Sequence, residues 1–233
     1  MDVFTSSDQE ELTIDLPLDI GADGGAEAVS PEVAQVALAD YDPGGAEVRK
    51  THRLRLERGF TQKYLSGAVV LDIGYRGAGN PEGKTIVPHA IGVDLEYPGY
   101  DGHRLPFGDG SVDCVSSSHC LEHVWMHHAA IRDWHRVVKP GGYIVCFVPH
   151  QFLYEKRAIP PSLWNPDHKR FFTPGTLMAC FEEALEPNTY RVRHLADNDT
   201  WFDYGIGPDR HAVGCYEIEL VLEKIRHPGW ALA

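Results

Sequence analysis

The sequence lacks most of what would place it outside a reducing, aqueous compartment. Its five cysteines, Cys114, Cys120, Cys146, Cys180 and Cys215, are odd in number, have no C-x-x-C spacing and sit mostly among apolar neighbours. That excludes a disulfide framework and points to reduced thiols in a cytoplasmic protein. No apolar run approaches the ~20 residues a membrane-spanning helix needs, so no membrane span is expected. The N-terminus has neither a basic nor an apolar signal region, so export is not expected either. Basic residues are missing from the first 48 positions, which hold twelve of the 34 acidic ones. The remaining chain is nearly balanced, with 22 acidic against 21 basic residues, so the formal charge of −13 belongs to the head of the chain. No basic stripe marks a nucleic-acid partner. The one basic cluster, Arg49, Lys50, Arg53, Arg55 and Arg58, falls on an expected helix and reads as a solvated face.

With 233 residues, 43% of them apolar, the chain suits one large domain with appendages. Residues 1–30 are acidic and poor in apolar groups, and are expected to be poorly ordered. Within them Leu12-Thr13-Ile14-Asp15-Leu16 alternates like an arm that pairs with a second subunit, which would make a homo-oligomer. Residues 31–64 are expected to form N-terminal helices, one starting at Ser30-Pro31 and one over 46–64. Strands are expected over 68–73, 90–94 and 112–117. A helix over 120–138 should stop at Lys139-Pro140-Gly141-Gly142. A strand over 143–148, a Pro- and Trp-rich segment over 149–174, a helix over 175–186 and strands over 190–195 and 215–224 complete the reading. Alternating strands and helices predict an α/β domain over 65–233, a Rossmann-like, mostly parallel twisted sheet flanked by helices. Residues 150–174 and 198–211 are expected to wall a substrate pocket.

The most informative run is Val69-Val70-Leu71-Asp72-Ile73-Gly74, an apolar stretch ending on a carboxylate and a glycine. It recurs as Ala90-Ile91-Gly92-Val93-Asp94. Continuous apolar runs are what strands buried on both faces look like, and ligands bind beyond the carboxyl ends of such strands. The loop Gly74-Tyr75-Arg76-Gly77-Ala78-Gly79 is no dinucleotide fingerprint, because G-x-G-x-x-G needs glycine where Arg76 stands. Strand two follows within about ten residues, leaving scarcely any room for a crossover helix to receive a pyrophosphate. A nucleoside cofactor without phosphate fits, and S-adenosyl-L-methionine is such a molecule.

Five motifs then occur in order: Val70-Leu71-Asp72-Ile73-Gly74, Gly92-Val93-Asp94, Leu105-Pro106-Phe107 with Ser111-Val112-Asp113, Leu121-Glu122-His123-Val124, and Val138-Lys139-Pro140-Gly141-Gly142. Together they resemble the class I S-adenosylmethionine-dependent methyltransferases. The resemblance is close over 65–150 and looser at His168-Lys169-Arg170-Phe171-Phe172-Thr173-Pro174. It implies that Asp72 and Gly74 shape the site for the methionine end, that Asp94 binds the ribose and that Asp101 meets the adenine. Gly77, Gly102 and Ser118 complete the cofactor set. The sequence departs from the family at Arg76 and in its abbreviated early crossovers.

Methyl transfer to a hydroxyl calls for alignment and a general base, and histidine suits that role near neutral pH. His119 and His150 each follow a strand end and are the catalytic candidates. His119, Glu122 and His123 also stand at i, i+3 and i+4, spacing that shares one helical face and suits a divalent metal. The ubiquinone-biosynthesis O-methyltransferases resemble this segment, with Glu in place of His119, and hold a divalent cation there. H-x-x-E-H is also the signature of inverted zinc peptidases, which makes a metallohydrolase one alternative. A non-catalytic cofactor-binding protein is another. Trp164, His168, Arg170 and Trp201 pair flat apolar faces with polar groups, as a sugar requires. The expected acceptor is therefore a saccharide or sugar-bearing metabolite, with a phenolic or polyketide hydroxyl as the alternative small molecule.

Overall fold

The computed structural model describes residue 38, residues 40–76 and residues 80–230. The expected acidic head, the helix start at Ser30-Pro31 and Gly77 lie outside them. Six strands form one sheet: β1 (Val70–Ile73), β2 (Ile91–Val93), β3 (Val112–Ser118), β4 (Val138–Pro149), β5 (Tyr190–Asn198) and β6 (Glu217–Lys224). Their spatial order is β2-β1-β3-β4-β6-β5. The first four are parallel, and β6 lies antiparallel between β4 and β5.

Period-2 alternation divides the apolar strand residues between two cores. Leu71, Ile73, Ile144, Cys146 and Val148 face one side, where they meet Ile131, Trp134, Leu177 and Phe181. Those residues come from helices α3 (His127–Val137) and α4 (Pro174–Ala184). Val70, Cys114, Val145 and Phe147 face the other side and pack on Phe60, Tyr64 and Leu65. Helices α1 (Ala46–Glu57) and α2 (Phe60–Tyr64) cover that side. One continuous helix over 46–64 was expected; Gly59, left-handed at φ +69°, divides it in two. Among the described residues no helix lies between β1 and β2 or between β2 and β3, so the early crossovers are indeed abbreviated.

The expected helix over 120–138 begins only at His127. His119 follows β3 in the left-handed region at φ +51°. Residues 120–126 follow as turns, with N–H groups bonding three residues back, His123 to Cys120 and Val124 to Leu121. The carbonyls that a helix there would use internally are already taken. The Arg170 guanidinium donates to Leu121 O (2.8 Å), Val124 O (2.5 Å) and Trp125 O (3.3 Å), and Lys169 N–H donates to Glu122 O (2.9 Å). His119, Glu122 and His123 therefore do not share a helical face, and the arrangement of an inverted zinc peptidase is not formed.

A cleft at the strand tips

β1 ends with Asp72, whose Oδ2 accepts the Ile86 N–H at 2.7 Å. Burial pushes this carboxyl up to about 7, against that single bond. Gly74 follows at φ +75°, and its N–H donates to Val93 O at 2.8 Å. A Cβ at Gly74 would stand 2.6 Å from Cys120 Sγ, so the close approach of the two strand-end loops requires glycine. Asp94 leaves β2 with Oδ1 accepting from Leu95 N (2.8 Å) and Oδ2 from Arg76 N (3.2 Å). Asp101 accepts from His103 N and Arg104 N at 3.0 and 2.7 Å, and those amides hold its carboxyl below its usual range. All of these residues, with Gly102 and Ser118, line one cleft of about 930 Å³. Because β1 and β2 are paired in register, Asp72 opposite Gly92, both carboxylates open into it.

The far wall is acidic and imidazole-rich. His119 is flanked by two carboxylates, with Nδ1 3.8 Å from Glu122 Oε1 and Nε2 3.7 Å from Glu217 Oε2. Burial draws its pKa down, but Glu217, Glu122 and Glu47 outweigh burial and leave it raised. Burial would raise the Glu217 carboxyl, yet Arg55 and His119 hold it down at about 2. His123 and His168 each place Nε2 3.8 Å from the same Glu122 Oε1. Leu95, Trp125 and Met126, all largely exposed, form an apolar rim.

Residues 80–146 match a family model described as a methyltransferase domain. Over that stretch the chain is similar to a methyltransferase domain. It is 28% identical over 134 residues to a probable S-adenosylmethionine-dependent methyltransferase of Mycolicibacterium smegmatis, covering 55% of this chain and 50% of that one. Over 81 residues it is 38% identical to the demethylmenaquinone methyltransferase of Streptomyces griseus, covering 29% and 35%. The chain thus spans half or less of the length of these two relatives. A solved structure, Burkholderia thailandensis 1,6-didemethyltoxoflavin-N1-methyltransferase with bound 1,6-didemethyltoxoflavin and S-adenosylhomocysteine, shares the fold. Its TM-score is 0.50 at 16% identity, with 78% of this chain and 79% of that one covered. The sheet and its flanking helices share the Rossmann-like fold of that structure.

Several residues expected at the site lie elsewhere in this domain. His150 is buried and does not line the cleft; its Nδ1 accepts from Phe152 N (3.0 Å) and Leu153 N (3.3 Å), capping the π-helical turn Gln151–Glu155. Trp164 packs with Tyr154, Ala212 and Tyr216 beneath the loops. Trp201 is 68% exposed, away from the cleft, and Arg170 is consumed by the carbonyls of 121–125. His168 does line the cleft. Sequence reasoning missed Glu47, Tyr154 and Tyr216, which also line it. Tyr216 O–H donates to Glu47 across 169 positions of sequence, and no local spacing signals such a pair.

Proposed function

We propose that the protein transfers the methyl group of S-adenosylmethionine to a hydroxyl of a saccharide or sugar-bearing metabolite. The observation that carries this reading is the pair Asp72 and Asp94, at the tips of adjacent parallel strands and open to a cleft that also holds an imidazole. The donor supplies an electrophilic methyl carbon on a sulfonium. Asp72 faces the α-ammonium of its methionine end, Asp94 takes ribose hydroxyls, and Asp101 with Gly102 borders the adenine. The acceptor oxygen attacks the methyl carbon in line, the carbon–sulfur bond breaks with its electron pair passing to sulfur, and the hydroxyl proton passes to His119. S-adenosylhomocysteine and the methyl ether leave. Alignment in such a cleft can supply roughly 7–11 kcal/mol of barrier reduction.

The saccharide reading draws on the polar groups Asn165, Asp167 and His103, which line the same cleft as Trp125. A phenolic acceptor is the second reading, favoured by the apolar rim of Leu95, Trp125 and Met126. Titration with S-adenosylhomocysteine, followed by turnover of labelled S-adenosylmethionine against panels of saccharides and phenols, tests both. Binding of the demethylated donor and label transfer to a saccharide are expected. Transfer only to phenols selects the second reading, and absence of donor binding removes both.

A further inference from the structure

We propose that Glu122, His123 and His168 form a binding site for a divalent transition metal of the Zn²⁺ class, opening into the cleft. The triad differs from the sequence spacing His119–Glu122–His123, because His168 arrives from a distant loop and His119 falls in a separate group with Glu47 and Glu217. One donor atom from each of Glu122, His123 and His168 lies within 4.8 Å of the other two. Glu122 is 1% exposed, and neither of its carboxylate oxygens has a hydrogen-bond partner among the described residues. A buried carboxylate is ordinarily satisfied by donors or by a cation. Around its Oε1 stand His123 Nε2, His168 Nε2 and His119 Nδ1, each at 3.8 Å, but only the first two also lie within reach of one another. Two ligands about 2.1 Å from a tetrahedral ion stand about 3.4 Å apart, so each Glu122–imidazole gap is within a few tenths of an ångström of that spacing.

The partners of the outward nitrogens point the same way. His123 Nδ1 pairs with Asp167 Oδ2 at 3.0 Å, and His168 Nδ1 pairs with the buried carboxylate of Glu155. A carboxylate on one ring nitrogen fixes the tautomer that presents the other as a lone pair and makes it more basic, as around metal-bound histidines. The backbone locks the loop in place: Lys169 N–H bonds Glu122 O (2.9 Å) and His168 N–H bonds Asn165 O (3.1 Å). Two imidazoles and one carboxylate suit Zn²⁺, Fe²⁺ or Mn²⁺ and disfavour Mg²⁺, which prefers oxygen. All three residues line the cleft, so a bound ion would lie at its wall. There the ion would hold an acceptor oxygen and lower its pKa as a Lewis acid. That last role rests on the methyl-transfer reading; the binding does not.

The test uses the full chain without a polyhistidine tag, stripped by chelation. Calorimetric titration with Zn²⁺ is expected to give one ion per chain, with Mg²⁺ at least about 100-fold weaker. Co²⁺ is expected to give visible d–d absorption on the wild-type protein. His168→Ala and Glu122→Gln should each weaken Zn²⁺ by roughly 100-fold, and Glu155→Gln by about 10–100-fold, the usual cost of losing an outer partner. His119→Ala should cost less than His168→Ala, because its ring falls outside the triad. No Zn²⁺ binding with no Co²⁺ absorption overturns the site, as does loss of binding in His119→Ala while His168→Ala keeps it. The Co²⁺ experiment needs no variant and so stands whether or not the substituted chains fold. A parallel S-adenosylhomocysteine titration separates the two readings: metal without donor binding removes methyl transfer alone, and donor without metal binding removes this site alone.

Discussion

His119 and His150 follow equivalent strand ends yet have unlike surroundings. The His150 ring accepts two backbone N–H groups and holds the turn after β4. The His119 ring stands in the cleft among Glu47, Glu122 and Glu217. Their variants should therefore separate. His119→Ala is expected to lower turnover about 10²–10⁴-fold, the usual worth of a general base, with S-adenosylhomocysteine affinity retained. His150→Ala is expected to retain turnover and to lose about 1 kcal/mol of stability, as other cap removals do. Parallel turnover assays and urea melts check both; equal loss of turnover would return His150 to the chemistry.

At the scale of elements, α1 is held to the sheet by a buried ion-pair network. Arg55, 3% exposed along its side chain, reaches Glu217 at 2.7 Å and Glu219 at 3.1 Å, and its guanidinium lies 3.5 Å over the Phe147 ring. Burial opposes the charge on Arg55, yet the two carboxylates outweigh it and raise its pKa. Glu217 is also the carboxylate beside His119, so the network that docks α1 also acts on the charge of that ring. Arg55→Met would leave two buried carboxylates without their cation. It is expected to cost about 3–5 kcal/mol, read as a lowered urea midpoint at unchanged m-value. Nothing in α1 announces this role. Its basic residues read as a solvated face, and only the antiparallel return of β6 brings Glu217 and Glu219 beneath Arg55.

At the scale of the whole molecule, Asp72 couples the cleft to stability. Its folded pKa, about 7, lies above its ordinary 3.8 because burial disfavours the charge. A raised carboxyl stabilises the fold fully below about pH 4 and loses that contribution as pH rises through about 7. The difference amounts to about 4 kcal/mol at most. Thermal melts of the protein alone should fall across this window, and Asp72→Asn, which keeps an acceptor for the Ile86 N–H, should flatten the fall. Donor binding reverses the sign: a cation beside Asp72 favours the carboxylate, so affinity for the donor should rise with pH through about 7. A wild-type profile matching that of Asp72→Asn would refute the assignment.

The sequence by itself determined the sheet's parallel half and the carboxylates at its strand tips. Apolar runs ending in Asp72-Ile73-Gly74 and Val93-Asp94 carry both the burial pattern and the acidic groups within a few adjacent positions. Period and punctuation also gave the short early crossovers and the stop before Pro140. Only the tertiary structure decided the other wall. His119 with Glu122, His168, Glu47 and Glu217 come from four separate segments, and which of them meet depends on long-range packing. The same holds for the helix that begins at His127 rather than 120: Arg170 and Lys169 take the carbonyls of 121, 122, 124 and 125, and local propensity cannot anticipate a competitor some 45 residues away.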